Sequence, residues 1–286
     1  MTKKVYIIAG PTASGKSALA LKLAKQVAGQ IVNADSLQVY EDVPLLTARP
    51  TTEEMQGIPH HLYGYLDAKA NLNVADWIKS VQSIIGSIDT PVFVGGTGMY
   101  IQTLMQGLSP MPDIPEDIRA SVRQMSKQEI LSKLKTPVPL TDTQRLMRAL
   151  EVELATGKSI LFWQSQPKIP VLTNVSFKSI LVMPPREKLY TQCNYRFNQM
   201  MSSGALHQVI DLYHKNPSCS GGVFKAIGVK ELIDFILAQT TLDHAIELAC
   251  QHTRNYAKRQ TTWFAHQFKP DSVVSNAQTV NISDLI

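Results

Sequence analysis

The sequence is short of cysteine, of net charge and of long apolar runs, and each shortage removes a class of protein. Its three cysteines, Cys193, Cys219 and Cys250, form no CxxC pair. An odd, widely spaced set excludes a disulfide framework and predicts reduced, mostly buried thiols. The seven histidines include one adjacent pair, His60-His61, but no metal-ligand spacing, which argues against zinc. No apolar run approaches the roughly 18 residues of a membrane span, so no membrane association is expected. The N-terminal lysines lead through a short apolar run into a Gly-rich loop, not a cleavage site; no secretory signal is read there and a cytoplasmic protein is expected. Net charge is +5, from 28 Lys+Arg against 23 Asp+Glu, which permits a nucleic-acid partner without identifying one. Charged residues at 18% beside 44% apolar residues exclude an intrinsically disordered chain. Internal repeats and low-complexity segments are also absent.

What is present alternates. Val5 to Ala9 is an apolar, β-branched run that stops at Gly10, and Ala20, Leu23, Ala24 and Val27 then fall at helical spacing, predicting a helix from about Lys16. Gln30 to Asn33 reads as a second strand ending at Ala34-Asp35. Val74, Trp77, Ile78, Val81 and Ile85 predict a helix, Pro91 to Val94 a buried strand, and Ile101, Leu104, Met105 and Leu108 another helix. Alternation of this kind predicts an α/β fold, a P-loop-type parallel sheet flanked by helices, with ligands gathered at the carboxyl ends of the strands. The Pro-rich run from Ser109 to Pro115 breaks the pattern, and helical spacings without a convincing strand follow to about Pro170. Ile180 to Met183 resumes strand chemistry, and an amphipathic stretch runs from about Leu242 to Phe264. The expected organisation is a catalytic core over 1–112 and 176–286, interrupted by a helical insertion over 113–175.

Gly10-Pro11-Thr12-Ala13-Ser14-Gly15-Lys16-Ser17 matches G-x-x-x-x-G-K-[ST] after a strand and at the start of a helix. Backbone N–H groups in such a loop close round phosphate oxygens, Lys16 adds a point charge and the Ser17 hydroxyl suits Mg²⁺. A Gly-rich turn that only caps a helix is the plain alternative. Taken alone the motif suggests nucleotide or ATP binding. Nucleoside-triphosphate enzymes, however, usually hold Mg²⁺ with an aspartate at the end of a second apolar strand. Here those strands end in Gly95-Gly96-Thr97 and in Pro184-Pro185. Asp35 is the one carboxylate at a strand end, and Ser36, Gln38 and Tyr40 beside it suit contact with a base. A phosphate cradle facing a single carboxylate suggests an acceptor with an exocyclic amine; Asp35 as a simple helix cap stays open.

Seven further runs stand in a recognisable order: Asp35-Ser36-Leu37-Gln38-Val39-Tyr40, Pro59-His60-His61-Leu62, Val74-Ala75-Asp76, Gly95-Gly96-Thr97-Gly98-Met99-Tyr100, Arg148-Ala149-Leu150-Glu151-Val152, Ala226-Ile227-Gly228 and Tyr256-Ala257-Lys258-Arg259-Gln260. With the P-loop they resemble the tRNA dimethylallyltransferases, bacterial type, to about Phe264. The resemblance implies transfer of a dimethylallyl group from dimethylallyl diphosphate to N6 of the adenosine on the 3′ side of the anticodon. It implies that the P-loop, Gly10 to Ser17, holds the diphosphate with Mg²⁺ on Ser17, and that Asp35 accepts the N6 proton. Thr97 would lie beside the reacting centre and Arg196 would reach the diphosphate. The adenosine must leave its stack to react, with Asp35, Ser36, Leu37, Gln38 and Thr97 around it. Gln144, Arg145 and Arg148, and Arg254 with Lys258, would grip the tRNA anticodon stem-loop. Without the resemblance, Arg196 reads as a surface salt-bridge arginine and both basic clusters as solvated helix faces, the first on a helix whose apolar face is Leu146, Met147, Leu150 and Leu154. Trp263 and Phe264 read as core. The expected molecule is a monomer.

Departures from the family pattern are local. Its usual Tyr-Arg-Gly is Tyr40-Glu41-Asp42, its Gly-Thr-Ala-Lys-Pro is Leu46-Thr47-Ala48-Arg49-Pro50, and its arginine after Trp-Phe is Ala265. The residues flanking Ile-Gly are Lys225 and Val229, and the segment between Leu134 and Thr141 is short. No eukaryote-type zinc finger is read after the core, as expected of a bacterial-type enzyme. The expectation is altered RNA recognition around retained chemistry. The competing expectations are an adenylate isopentenyltransferase acting on free nucleotides, a P-loop small-molecule kinase, and an RNA-binding protein without catalysis.

Overall fold

The computed structural model describes residues 2–286. Six strands, β1 (Lys3–Ala9), β2 (Gln30–Asn33), β3 (His60–His61), β4 (Pro91–Gly95), β5 (Val175–Val182) and β6 (Ser272–Val274), form one parallel sheet in the order β3-β2-β4-β1-β5-β6. Strand β1 is central and Val5 to Ala9 are buried, as a parallel strand covered on both faces requires. Tyr6 and Ile8 pack against Leu19, Ala20, Leu23 and Ala24 of helix α1 (Lys16–Gln26) and against Val274, Ala277, Ile282 and Leu285 near the chain's end.

Short helices α2 (Pro44–Thr47) and α3 (Thr52–Met55) precede β3, and α4 (Val74–Ile84) and α5 (Gly98–Gln106) flank β4. Trp77 of α4 stacks on Tyr100 of α5, with ring centroids 4.6 Å apart, and its indole N–H donates to the Asn33 carbonyl at 3.0 Å. Helices α6 (Glu116–Arg123), α7 (Lys127–Lys133), α8 (Thr143–Thr156) and α9 (Ile160–Ser165) follow, then α10 (Arg186–Ser202), α11 (Ala205–Lys215), α12 (Val229–Ile236) and the long α13 (Leu242–Gln267).

The chain divides into a larger unit, Met1–Met105 with Leu172–Ile286, and a smaller one, Gln106–Val171. The smaller unit starts and stops earlier than 113–175. Leu108 and Ile169 exchange backbone hydrogen bonds of 2.9 and 2.8 Å in an antiparallel bridge, which ties the Pro-rich run into the insertion and removes Leu108 from α5. At the other end β5 begins at Val175, before Ile180. Its first half is only partly covered, so the continuous apolar run marks just the buried half.

Within the smaller unit α8 is the organising helix. Leu146 and Leu150 meet Val122 and Ile130, while Ala149 and Val152 meet Ile114 and Ile160. Leu154, expected on the apolar face, is instead exposed. Position 153 completes the i, i+3, i+4, i+7 stripe, and there the buried Glu153 accepts hydrogen bonds from the Lys135 backbone and the Thr136 hydroxyl, both at 2.9 Å.

Candidate active site

The loop after β1 adopts the conformation that its glycines allow. Gly15 has φ of 87°, the left-handed region that a glycine enters without steric cost, and Ala13 enters the same region at 60° against the cost of its Cβ. Gly15 caps α1 with no side-chain hydrogen bond, so the positive end of that helix faces outward without a capping side chain. Ser14 is buried and its hydroxyl has no partner. Lys16 is buried as well, its ammonium donating to the Pro11 carbonyl at 3.3 Å. Burial pulls its pKa down to about 8, with nearby Asp35 opposing the shift and Arg196 adding to it. Ser17 is exposed.

Arg196 projects from α10 and donates through Nη2 to the Thr12 hydroxyl. Burial depresses its pKa, against the influence of Cys193 and Asp35. Arg196 is therefore bonded to the P-loop, and the surface salt-bridge alternative does not hold.

Asp35 follows β2 and caps a turn, not a helix: its Oδ1 accepts from the Leu37 N–H at 3.0 Å. Asn33 sets its approach. Asn33 Oδ1 accepts from the Asp35 N–H at 2.8 Å, while Nδ2 donates to the carbonyls of Asp35 at 2.9 Å and Leu62 at 3.0 Å. Thr97, from the turn after β4, accepts from the Ser36 N–H at 3.0 Å and donates to the Ser36 hydroxyl at 3.3 Å. Three strand ends thus converge. Thr12, Asp35 and Arg196 line one cavity together with apolar Leu37, Leu46, Phe197, Met200 and Ile227. Tyr256 also lines it, its hydroxyl pKa raised by burial and then by Asp35.

Other expected residues have different surroundings. Both Gln38 amide donors go to its own loop, to the carbonyls of Thr47 at 3.0 Å and Ala48 at 2.8 Å. In the smaller unit, Gln144 and Arg145 are exposed on α8, and Arg148 is half-buried between Glu151 (3.3 Å) and the Met111 sulfur (3.3 Å). On α13, Arg254 donates to Asn194 Oδ1 at 2.6 Å, and exposed Lys258 lines an open groove with Arg259, Trp263 and His266. Phe264 is fully buried, but Trp263 is only partly covered; it faces that basic groove and is not simply core. The histidine pair is structural. His60 Nδ1 donates to the Ile58 carbonyl at 2.8 Å and His61 Nε2 to Gln30 Oε1 at 2.7 Å, fixing the edge strand whose next residue, Leu62, receives the Asn33 amide.

The polar residues to which sequence reasoning gave no role include Asn33, Tyr256 and Gln260. Gln260 is buried, its Oε1 accepting from the Thr12 N–H and its Nε2 donating to the Gly96 carbonyl, both at 2.8 Å. The signal for it was available: Thr253, Ala257, Gln260 and Phe264 fall at inward helical positions, and a polar residue there needs a partner.

The family model for IPP transferase matches residues 38–267, and that for isopentenyl transferase matches residues 3–70. The tRNA dimethylallyltransferase of Rhizobium etli is 42% identical over 280 residues, covering 93% of this chain and 94% of that protein. The one of Hyphomonas neptunium is 40% identical over 277 residues, covering 92% and 88%. Among solved structures, a eukaryotic dimethylallyltransferase acting on tRNA superimposes with a TM-score of 0.74 at 29% identity, covering 92% of this chain and 70% of that one. The tRNA isopentenylpyrophosphate transferase of Staphylococcus epidermidis gives 0.69 at 29% identity, covering 98% and 95%. With a matching model over most of its length and relatives of this closeness, the chain belongs to the IPP transferase family, the family of the tRNA dimethylallyltransferases.

Proposed function

We propose that this protein transfers the dimethylallyl group of dimethylallyl diphosphate to N6 of the adenosine 3′-adjacent to the anticodon in tRNA. The cavity carries the reading: it sets a carboxylate, a partly buried guanidinium and an apolar wall around one chamber, with the phosphate loop at its polar end. N6 attacks C1 of the dimethylallyl group, the C–O bond breaks with its electron pair leaving on the diphosphate, and the N6 proton passes to the Asp35 carboxylate. The Asx turn to Leu37 holds that carboxylate's rotamer for the transfer.

The loop from Gly10 to Ser17 holds the diphosphate, and Lys16 and Arg196 stabilise the charge that grows on it. Both cations are largely removed from water, where each is worth more than at a surface. Thr97 and Ser36 form the acceptor side, joined to each other and next to Asp35. Leu37, Leu46, Phe197, Met200 and Ile227 give the five-carbon tail an apolar wall.

The donor set fits Mg²⁺ only together with the diphosphate. Ser17 offers an exposed hydroxyl at the start of α1, and among the described residues no group of three acidic, histidine or cysteine side chains could hold a metal. A hard cation on Ser17 would take its remaining oxygens from phosphate and water and would offset leaving-group charge. No helix of the described residues is long and apolar enough to cross a membrane, and the reading needs no membrane. It places the protein with its tRNA in the cytoplasm, acting as a monomer.

The test is an acceptor comparison. Unmodified anticodon stem-loop RNA and AMP are each incubated with dimethylallyl diphosphate. Isopentenyladenosine in the RNA alone is expected; prenylated AMP with unmodified RNA would instead make the protein an adenylate enzyme.

A further inference from the structure

Gln260 is not among the residues that line the cavity, yet its side chain joins two loops that flank it. The residue is buried on α13, and its amide is used at both ends. The orientation is dictated by its partners, since the Thr12 N–H can only donate and the Gly96 carbonyl can only accept. The fit is tight: a Cβ on Gly96 would lie 2.3 Å from Nε2. From Thr12 the connection continues through its hydroxyl to Arg196, and from Gly96 through Thr97 to Ser36 beside Asp35. One buried amide therefore spans from the diphosphate loop after β1 to the acceptor-side turn after β4.

We propose that Gln260 is a positioning residue, whose amide fixes the separation between the leaving-group loop and the acceptor turn. The proposal rests on the transferase reading above. It follows from the steepness of reaction geometry, because a displacement of about 1 Å costs on the order of 10²-fold in rate. Gln260 does not line the cavity, so the effect falls on kcat more than on KM.

The test uses the full-length protein, anticodon stem-loop RNA and dimethylallyl diphosphate. Gln260→Glu keeps the shape and the acceptor for Thr12, but its carboxylate cannot donate to Gly96. At neutral pH kcat is expected to fall about 10- to 100-fold, with KM for dimethylallyl diphosphate within about threefold. Burial against a carbonyl raises the pKa of the introduced carboxyl. Acidification then restores a donor, and kcat relative to wild type rises as pH falls. A folded Q260E with wild-type kcat, or a loss that does not change with pH, would overturn the proposal. If Q260E does not fold, Gln260→Met fills the space without hydrogen bonds: a lowered kcat with KM kept supports the proposal, and wild-type kcat ends it.

A double-mutant cycle adds an independent check. Gly96→Ala drives a methyl group into the amide, whereas Q260A makes room for it. The double variant is expected to be no slower than Q260A alone, and additive losses would count against the coupling. Wild-type protein run in parallel separates the two levels. No product from wild type overturns the transferase reading and this proposal with it; full activity in folded Q260E overturns the proposal alone.

Discussion

The two units hold the cations of the proposed reaction in opposite ways. In the larger unit Lys16 and Arg196 are drawn out of water and bonded to the loop itself, through the Pro11 carbonyl and the Thr12 hydroxyl. In the smaller unit Arg145 is exposed and Arg148 is shared with Glu151. A desolvated cation has a shifted pKa, a fixed direction and a large effect when a phosphate arrives. An exposed cation retains its hydration and is screened by salt, so it contributes in small increments. On the proposed reading chemistry and grip are therefore separable, and each prediction pulls on one side of the contrast.

The largest effect is expected at Asp35. Asp35→Ala removes the proton acceptor, and kcat should fall about 10²- to 10⁴-fold while binding of dimethylallyl diphosphate, measured by titration calorimetry, stays within a few-fold. A parallel loss of diphosphate affinity would merge the two roles. The next effect is a pH dependence set by Lys16, whose pKa in the folded protein is about 8 against an ordinary 10.5. Between those values the unfolded chain binds more protons, so this group makes the ligand-free protein more stable as pH rises through that window. Diphosphate binding has the reverse sign, since it needs the ammonium: affinity should fall as pH rises above about 8, and Lys16→Arg should flatten that fall. An affinity that stays level to the upper limit would mean that Lys16 is not desolvated. The smallest effects belong to the arginines of the smaller unit. Arg145→Ala and Arg148→Ala should each weaken stem-loop binding only a few-fold and lower the salt slope by roughly 0.7 to 0.9, with kcat at saturating RNA unchanged. A loss of kcat in either variant would erase the contrast.

The parts of this molecule that were legible in sequence are those governed by local rules. The P-loop has an obligatory spacing, β1 and β4 are unbroken apolar runs, and Asp35 ends a strand, so sheet and cradle could be read directly. Recognition of the ordered motifs, and not spacing, linked Thr97 and Arg196 to the site. What stayed hidden depended on partners distant in the chain. Leu108 was assigned to a helix by its period, but its backbone pairs with Ile169. Leu154 fitted an apolar stripe until Glu153 found the Lys135 and Thr136 donors. Gln38 looked available to a base, yet the Thr47 and Ala48 carbonyls take its amide. Trp263 suits a core by composition but lies along a basic groove. Among the departures from the family pattern, Leu46 stands in the cavity wall, Arg49 donates to the Tyr40 carbonyl at 2.9 Å, and Ala265 is exposed; Leu46 alone touches the chamber.

The outer strands of the sheet are its shortest, two residues in β3 and three in β6. A parallel sheet whose neighbours are far apart in sequence assembles slowly and leaves unpaired backbone exposed meanwhile. Margins this brief give another chain almost no ladder to extend, which is one way that proteins resist edge-to-edge aggregation. At the β3 margin, His60 and His61 are bonded to the Ile58 carbonyl and to Gln30, so the histidine pair ties that short margin to its own chain and to β2.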